Sequence, residues 1–393
     1  MAEKGRRALF LAPESPYPVI GGGALRAASL LEYLAQSYTV DAILFRLPGT
    51  TVDLPSGLVD RVDTIELPMH SKRPAARMWR NGVRLLRRTP PLVDRFSGFG
   101  AEIAALLTDR PIYDLGVVEH FWCAPYYEQI GPRCRRMALD LHNIESVWHL
   151  GSGQVAPWLQ SVAHDVFHRA AIELEQRWLP WYSLLLATSA QDAERIREMA
   201  PGVPTIVYPN TIPLVSCPPR VEQDVIAFSG TLAYEPNRTA VKYFAEEIWP
   251  SLHARWPGLR WQLIGRNPEA IARYIAGAPG VECTGFVDDA MACLASAKVA
   301  IAPIRSGSGT RLKIVEAWAA GVPVVSTTVG AEGLPARHGE NILLADDPGT
   351  FGDAVSSLLE SCPERQRIGR AGREQYEKDL TWDVAWRSLE GEF

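Results

Sequence analysis

One glycine-rich segment near residue 307 combines residue types that are suited to binding a phosphate group. Gly307 and Gly309 would let the backbone approach a ligand closely, and Thr310 can cap a helix that begins there. The N–H groups of a first helical turn favour an anion. Arg311 and Lys313 would add two positive charges at the same helix end. This spacing predicts an anion site.

The same helix carries one carboxylate and leads into an apolar strand. Glu316 can accept hydrogen bonds from the hydroxyl groups of a sugar or a ribose. Gly321 is expected to end the helix, and residues 322–327 are typical of a buried parallel strand. An ordinary helix-to-strand unit, with Lys313 and Glu316 as a surface ion pair, fits the same residues.

The elements that would position these residues alternate between apolar runs and helical patterns along both halves of the chain. Such alternation predicts an α/β fold with parallel sheets and helices on both faces. Ligands of doubly wound sheets bind beyond the carboxyl ends of the strands. We expect strands at residues 8–12, 40–45, 115–118, 136–141, 225–229, 260–264, 280–284, 299–303, 322–327 and 341–345.

Two domains are expected, because 393 residues exceed what one core usually holds. Residues 208–222 contain four prolines and no periodicity, which is typical of a linker. We predict a first Rossmann-like domain over 1–209 and a second over 223–375, joined by a linker over 210–222. A C-terminal helix over 376–393 can pack back on the first domain.

Composition and motifs argue against several classes of protein. A net charge of −5 argues against a general nucleic-acid binder. Six cysteines without a C-x-x-C pair, and no apolar leader, indicate reduced thiols in a cytoplasmic protein. No apolar run reaches membrane-spanning length. The sequence has no Walker A, H-E-x-x-H or D-x-D pattern and no zinc-type Cys/His spacing, so no metal is implied.

Residues 70–95 form one strongly basic segment, with eight basic residues against a single acid, Asp94. Apolar residues, among them Trp79 and Leu86, recur in it at roughly helical spacing. A basic amphipathic helix can lie on an anionic membrane surface, which would place the protein peripherally at the inner membrane face. A solvated helix face on the first domain is the alternative.

A triple-glycine loop near the start, formed by Gly21, Gly22 and Gly23, precedes a predicted helix. It does not fit the dinucleotide-binding fingerprint, because Arg26 stands where the last glycine belongs and the loop opens eight residues after the strand. The loop and Arg26 can still admit a phosphate or an acceptor group. A simple turn is the alternative.

Two histidines end predicted strands of the first domain. His120 follows residues 115–118, and His142 follows residues 136–141. Both therefore belong to the carboxyl edge of the sheet, where ligands bind. Glu119 competes with His120 for a role at this edge, and structural hydrogen bonding is the alternative for both histidines.

Taken together, these segments resemble the retaining glycosyltransferases of the GT-B fold, family 4 (group 1). The resemblance covers most of the chain and is strongest over GSGTRLKIVEAWAAGVPVVSTTVGAEGL. It implies two doubly wound Rossmann-like domains that face each other across a cleft. The supporting segments, in this order, are GGGALRAASLLEYLA, YPN at 208–210, FSGTLAYEPNRTAVKYF, LIGRNP at 263–268, TGFVDD at 284–289 and GENILLADDP at 339–348.

The resemblance implies a donor site in the second domain. Glu316 matches the second of two family glutamates, which holds the ribose of the nucleotide, whereas Ser308 stands at the position of the first, which contacts the transferred sugar. Base recognition falls near Arg266 and at the backbone of Phe286 and Val287.

The phosphate contacts implied by the resemblance differ in this chain. Relatives carry an arginine and a lysine after the first strand of the second domain, but the segment that begins at Gly230 lacks this pair. We infer that Arg311 and Lys313 neutralise the diphosphate instead. Backbone N–H groups of Gly309 and Thr310, with Ser308, would contact the donor sugar.

The activity implied by the resemblance belongs to polysaccharide biosynthesis and needs no metal or other cofactor. A hexose would move from a UDP- or GDP-sugar to a glycan, lipid-linked or small-molecule acceptor, with retention of anomeric configuration. His120 would lie close to the reacting sugar, and the helix near Thr310 would stabilise the leaving diphosphate. A GT-B nucleotide-sugar epimerase and a non-catalytic sugar-nucleotide-binding protein are the alternatives.

Overall fold

The computed structural model describes residues 5–19, 21–71, 73–155, 157–287, 289–306 and 311–393. Two compact units divide the chain: the first comprises the residues up to Pro209 together with Trp386–Phe393, and the second comprises Asn210–Ala385. Tyr376, where we expected a C-terminal helix to begin, lies inside a longer helix that ends at Asp379. The segment 376–393 is therefore not one helix, because the chain breaks after Asp379 and a second short helix follows.

Seven parallel strands form the sheet of the first unit. They are β1 (Arg7–Ala12), β2 (Thr39–Arg46), β3 (Arg61–Glu66), β4 (Leu115–Glu119), β5 (Met137–Asp140), β6 (Leu184–Ala187) and β7 (Thr205–Val207). Their order is β3-β2-β1-β4-β5-β6-β7. The central strands β1, β2 and β4 are almost wholly apolar and buried, as parallel strands covered on both faces must be. The order reverses between β1 and β4, which is where doubly wound sheets bind ligands.

The helices of the first unit follow these strands in alternation. They are α1 (Gly22–Ser37), α2 (Pro74–Leu86), α3 (Pro91–Arg95), α4 (Gly100–Leu107), α5 (Tyr127–Ile130), α6 (Glu145–Val155), α7 (Trp158–Trp178) and α8 (Ala190–Met199). Short 3₁₀ turns occur at Phe121–Tyr126, Gly131–Arg133 and Leu179–Trp181. Phe45 on β2 anchors the core, since its ring lies 5.3–6.0 Å from three other aromatic rings.

The second unit has a six-stranded parallel sheet in the order β10-β9-β8-β11-β12-β13. These strands are β8 (Gln223–Ser229), β9 (Arg260–Ile264), β10 (Val281–Gly285), β11 (Ala297–Ala302), β12 (Val324–Ser326) and β13 (Leu343–Leu344). The order reverses between β8 and β11. Phe244, Trp249 and Trp261 pack together at the centre of its core, with ring centroids 4.6–6.3 Å apart.

Eight α-helices cover the described part of the second sheet or follow it. They are α9 (Glu235–Tyr243), α10 (Trp249–Arg255), α11 (Ala272–Ile275), α12 (Ala290–Ala295), α13 (Leu312–Ala319), α14 (Pro348–Glu360), α15 (Cys362–Asp379) and α16 (Trp382–Arg387). A π-helical turn, Phe244–Ile248, joins α9 to α10, and 3₁₀ turns occur at Pro268–Ala270 and Val329–Ala331.

The predicted architecture of two doubly wound α/β sheets is confirmed. Each of the ten predicted strands has its counterpart, whereas β3, β6 and β7 were not predicted. Helix α13 ends at Ala319 and Gly321 follows with a φ of 66°, as expected for a glycine that ends a helix. Across the described ranges, no helix combines the length and the apolar character needed to cross a membrane.

Candidate active site

Three loops of the second unit meet beyond the carboxyl ends of β8, β9 and β10. Backbone hydrogen bonds join them, from Leu232 N to Arg266 O at 2.9 Å and from Gly265 N to Gly285 O at 3.1 Å. Gly230 and Gly265 have φ angles of 132° and 148°, and a Cβ on Gly265 would lie 2.0 Å from the Gly230 oxygen. Both positions therefore require glycine. The contact brings the predicted donor-site loops together.

Lys313, in the first turn of α13, points its ammonium group toward the loop after β8. Its Nζ donates to Asn237 Oδ1 at 2.5 Å and lies 4.0 Å from the centre of the Phe228 ring. A Cβ on Gly230 would lie 3.4 Å from the same nitrogen. Desolvation, and then repulsion from Arg311, lower the pKa of Lys313 to about 7. Its charge is therefore held where the protein alone supplies little compensation.

Glu316 is one turn further along the same helix face. Ser229 Oγ, at the end of β8, donates to its Oε2 at 3.3 Å. Desolvation raises the pKa of Glu316, although Lys313 and Ser229 oppose the shift. The carboxylate thus lies at the carboxyl end of the central strand of the sheet. It is placed to accept hydrogen bonds from ligand hydroxyl groups.

Arg311 immediately precedes α13 and is only 8% exposed. Burial lowers the pKa of its guanidinium, although Tyr234 and Glu332 attract the charge. Two cations, Arg311 and Lys313, are therefore close enough to repel each other in a desolvated place. Two positive groups at one helix end are suited to binding an anion.

Arg266 and Phe286 form the outer edge of this site. The Arg266 guanidinium lies 4.5 Å above the centre of the Phe286 ring, and 57% of Phe286 is exposed. An exposed aromatic ring capped by an arginine offers a flat surface for stacking and a charged donor beside it. Val287 follows this ring. The predicted ligand contacts at Gly307, Ser308, Gly309 and Thr310 lie outside the described residues.

His120 immediately follows β4 in the first unit, in a backbone conformation that is unusual for a residue with a side chain. Its φ is 64°, in the left-handed region that disfavours side chains. Its ring stacks on Trp122, with centroids 4.1 Å apart and planes 8° apart, and lies 3.6 Å from the ring of His142. Burial, and then the charge on His142, lower the pKa of His120. His120 is therefore neutral near pH 7.

His142 belongs to a buried network with two carboxylates. Its Nε2 lies 2.5 Å from Glu119 Oε2 and 3.4 Å from Asp140 Oδ2. Although burial opposes charging, the hydrogen bonds to Asp140 and Glu119 raise the pKa of His142 to about 9. Burial and the neighbouring Asp140 raise the pKa of Glu119 to about 7. The sequence therefore rightly placed both histidines at one edge, and Glu119 supports His142 rather than replacing His120.

Arg26 has a different task from the predicted one. Its Nε and Nη2 donate to Asp140 at 2.6–3.0 Å, its Nη1 donates to the Tyr208 carbonyl at 2.5 Å, and its side chain is fully buried. Burial opposes ionisation of Asp140, but the guanidinium holds the pKa of that carboxyl well below its usual range. Arg26 therefore positions Asp140, and through it His142, instead of contacting a ligand.

The triple glycine lies at the start of α1, beside the two histidines. Gly21 has a φ of 92°, and Gly22 and Gly23 form the first turn of the helix. A Cβ on Gly23 would lie 3.0 Å from Glu14 Oε1, 3.6 Å from His120 Nε2 and 3.8 Å from His142 Nδ1. Glu14, in the proline-rich loop after β1, was not predicted from the sequence. The one feature of the sequence that could have indicated a role for Glu14 is its position after β1, a central strand of the sheet.

Glu119, Asp140 and His142 also offer three potential metal ligands within 4.8 Å of one another. Arg26 already occupies both oxygens of Asp140, and its positive charge lies where a metal ion would add another. We therefore assign these side chains to a salt-bridge network.

Comparison with known proteins identifies the second unit. Residues 223–361, which hold all the described donor-site residues, match the family model for glycosyl transferases group 1. The similarity to group 1 glycosyl transferases therefore lies in the second unit. A phosphatidyl-myo-inositol mannosyltransferase from Mycobacterium leprae is 29% identical over 221 residues, which cover 52% of this chain and 58% of that protein. The match thus spans little more than half of the relative's length.

Solved structures extend the similarity in fold to the whole chain. Sucrose-phosphate synthase from Thermosynechococcus elongatus aligns over 98% of this chain and 97% of its own, with a TM-score of 0.72 and 18% identity. Anabaena HepE, solved with UDP and glucose, aligns over 98% of both chains with a TM-score of 0.65 and 14% identity. The chain thus has the GT-B fold.

The basic segment expected to form an amphipathic helix becomes α2 of the GT-B fold, with three large apolar side chains exposed. Met78, Trp79 and Leu86 are 73%, 77% and 88% exposed. Trp158, in the first turn of the neighbouring α7, is 74% exposed. Arg73, Arg77, Arg87 and Arg88 are exposed on or beside α2. A solvated helix face would turn such apolar side chains inward, so this surface favours a partner.

Proposed function

We propose that this protein is a glycosyltransferase that moves a hexose from a nucleoside-diphosphate sugar to a glycan, lipid-linked or small-molecule acceptor. The observation that carries the proposal is the desolvated pair Arg311 and Lys313 at the start of α13, with Glu316 behind them. Both side chains lie at the start of the helix, and a diphosphate, which carries more than one negative charge, can accept hydrogen bonds from both. The match of residues 223–361 to group 1 glycosyl transferases supports the same conclusion.

Each described donor-site residue has a role in this proposal. Lys313 and Arg311 bind the diphosphate, and Glu316 accepts hydrogen bonds from the ribose. Arg266 and Phe286 hold the base, with Val287 contributing its backbone. Gly230 leaves space beside Lys313 for a phosphate. Solved neighbours support this class of donor, since HepE was crystallised with UDP and glucose.

The proposed chemistry is electrostatic. The bond between the sugar C1 and the diphosphate oxygen breaks, and the negative charge that grows on the leaving oxygen is stabilised by Lys313 and Arg311. The acceptor oxygen bonds to C1 on the same face, and the leaving phosphate takes its proton, so the configuration is retained. Charge stabilisation by these two side chains requires no metal ion. His120, which is held neutral, is the residue that we expect beside the reacting sugar.

We also propose that the protein contacts a membrane, where it would meet a lipid-linked acceptor. The outward apolar side chains of α2 and its exposed arginines suit the surface of an anionic bilayer at the inner face of the membrane, where a lipid-linked acceptor would lie. The wild-type protein is expected to float with vesicles that contain anionic lipid and to remain unbound with neutral vesicles. Flotation unchanged by the double substitution Trp79→Ser and Leu86→Ser would contradict the contact.

The activity is tested by incubating the protein with UDP- and GDP-sugars, with and without candidate acceptors. We expect one donor to release its nucleoside diphosphate faster when an acceptor is present, in EDTA as well as in magnesium, and the new linkage to show retained configuration by proton NMR. Conversion of the nucleotide sugar alone to its epimer would identify an epimerase. Tight nucleotide binding without turnover of any donor would identify a non-catalytic binder.

A further inference from the structure

Three polar side chains of the first unit converge on the bare Cα of Gly23. Glu14 arrives from the loop after β1, His120 from the end of β4 and His142 from the loop after β5. Oε1 of Glu14, Nε2 of His120 and Nδ1 of His142 all lie within 3.0–3.8 Å of the point where a Cβ on Gly23 would be. This convergence lies at the reversal of strand order between β1 and β4, where doubly wound sheets bind ligands.

None of these three atoms has a hydrogen-bond partner among the described residues. Among the described residues, His142 makes side-chain hydrogen bonds through Nε2 alone, and the side chains of Glu14 and His120 make none. Glu14 is exposed and His142 is half-buried, so water or a ligand can reach these polar atoms and form hydrogen bonds with them. The absent side chain of Gly23 leaves the space that such a ligand would need.

The chemical character of the three atoms restricts the ligand. Glu119 and Asp140 hold Nε2 of His142 and keep the imidazole protonated near pH 7, so Nδ1 is a fixed donor. Glu14 presents an acceptor; desolvation raises its pKa and His142 opposes the shift. His120 is neutral. A fixed donor beside a fixed acceptor matches a hydroxyl group, which accepts and donates at once.

The charges argue against an anion in the same place. Arg26 and His142 are balanced by Asp140 and Glu119, and Glu14 adds a further negative group at the mouth of the space. A phosphate would meet a carboxylate here and would gain no uncompensated cation. This site therefore differs from that of Arg311 and Lys313, where two cations repel each other.

We propose that Glu14, His120 and His142 form a binding site for the hydroxyl groups of an uncharged polyol, with Glu14 as the residue that selects against a phosphorylated one. The further statement that this polyol is the glycosyl acceptor rests on the proposed function. The binding of a polyol at this site does not depend on the proposed function.

Saturation-transfer NMR tests this on the full chain. The probes are glucose, galactose, mannose and myo-inositol, together with glucose 6-phosphate, mannose 6-phosphate and myo-inositol 1-phosphate. We expect the wild type to bind at least one uncharged polyol, and to bind it more tightly than its phosphate ester. Glu14→Gln should weaken that binding about tenfold or more, as expected for a hydrogen bond to a charged group, and should reduce the discrimination against the ester.

Gly23→Ala is the second variant. Its methyl group would lie 3.0 Å from the Glu14 oxygen and fill the space, while alanine in the first turn of a helix should keep or raise the melting temperature. Gly151→Ala in α6 and Glu128→Gln in α5 are matched controls, because a Cβ on Gly151 meets no atom within 4 Å and Glu128 is exposed. Both controls should bind the polyol like the wild type.

Three results would overturn the proposal: no uncharged probe bound by the wild type, tighter binding of the phosphate esters, or binding unchanged in both Glu14→Gln and Gly23→Ala. Calorimetry of UDP binding separates this outcome from failure of the glycosyltransferase proposal. Glu14→Gln and Gly23→Ala should bind UDP like the wild type, because the nucleotide site belongs to the second unit. Loss of UDP binding in all proteins, with polyol binding intact, would contradict the donor site and leave the polyol site standing.

Discussion

At the scale of residues, the second unit places Lys313 where its charge destabilises the free protein. Lys313 is desolvated, its pKa is lowered to about 7, and Arg311 repels it. The single side-chain hydrogen bond described for its Nζ goes to a neutral amide, Asn237. A residue kept at such a cost is expected to serve a ligand rather than the fold.

Lys313→Met should therefore separate stability from binding. Removing a desolvated charge should raise the melting temperature by about 2–4 °C, which corresponds to roughly 1 kcal/mol in a unit of this size. The same change should weaken UDP binding at least tenfold, as expected for a lost charged contact. Calorimetry of both unfolding and UDP binding checks the two effects. A destabilised variant that binds UDP normally would show that Lys313 is structural.

The lowered pKa of Lys313 also fixes the direction of a pH effect. In the free protein its ammonium loses its proton as the pH rises through about 7, whereas a bound diphosphate should keep it charged. UDP affinity should therefore fall as the pH rises from 7 to 9, and binding at pH 8 should take up protons. Titration calorimetry in buffers of different ionisation enthalpy measures the uptake. Lys313→Arg, which stays charged, should remove the dependence; an equal dependence in this variant would contradict the assignment.

At the scale of elements, α13 is held in place by a close approach to α15. A Cβ on Gly372 would lie 2.3 Å from the ring of Trp318, which is fully buried and donates its Nε1 to the Asn341 carbonyl at 3.0 Å. The site residues Lys313 and Glu316 belong to the same helix as Trp318. The packing of α15 therefore fixes the position of the donor site.

Gly372→Ala should accordingly lower the free energy of unfolding by about 1–3 kcal/mol, as overpacking a core does. Gly352→Ala in α14 is the control, because a Cβ there meets no atom within 4 Å, and it should be neutral or slightly stabilising. Urea denaturation of both variants measures the difference. Equal stability of the two would show that α15 can shift without cost.

The elements also show what the sequence could and could not predict. Buried strands such as β1 and β8 each contain a continuous apolar run, at residues 8–12 and 225–228, and these runs identify them. Strand β3 lies at the edge of its sheet and has the sequence RVDTIE. Because charged residues interrupt it, it lacks the apolar run by which other strands were predicted. Glu14 could not be predicted, because the histidines that lie near it, His120 and His142, are more than a hundred residues away in the chain and only the folded sheet brings the three together.

At the scale of the whole molecule, the charges at the carboxyl ends of the strands differ between the two parallel sheets. The second unit gathers Arg311 and Lys313 beside one carboxylate, which suits a diphosphate. The first unit balances Arg26 and His142 against Asp140 and Glu119, which suits uncharged hydroxyl groups. The site of the second unit could be predicted from the family motif, because its residues are close together in the sequence. The site of the first unit depends on contacts between distant segments, so only its histidines and Arg26 could be predicted.

The central claim is that Arg311 and Lys313 hold the diphosphate of a sugar nucleotide. It is tested most directly by titrating the nucleotide into Arg311→Ala and into Arg255→Ala, a control in which an exposed arginine paired with Glu360 is removed. We predict that Arg311→Ala weakens binding by roughly 2–4 kcal/mol, because a charged contact to the diphosphate is lost, and that Arg255→Ala binds like the wild type. An Arg311→Ala protein with unchanged affinity would contradict the account.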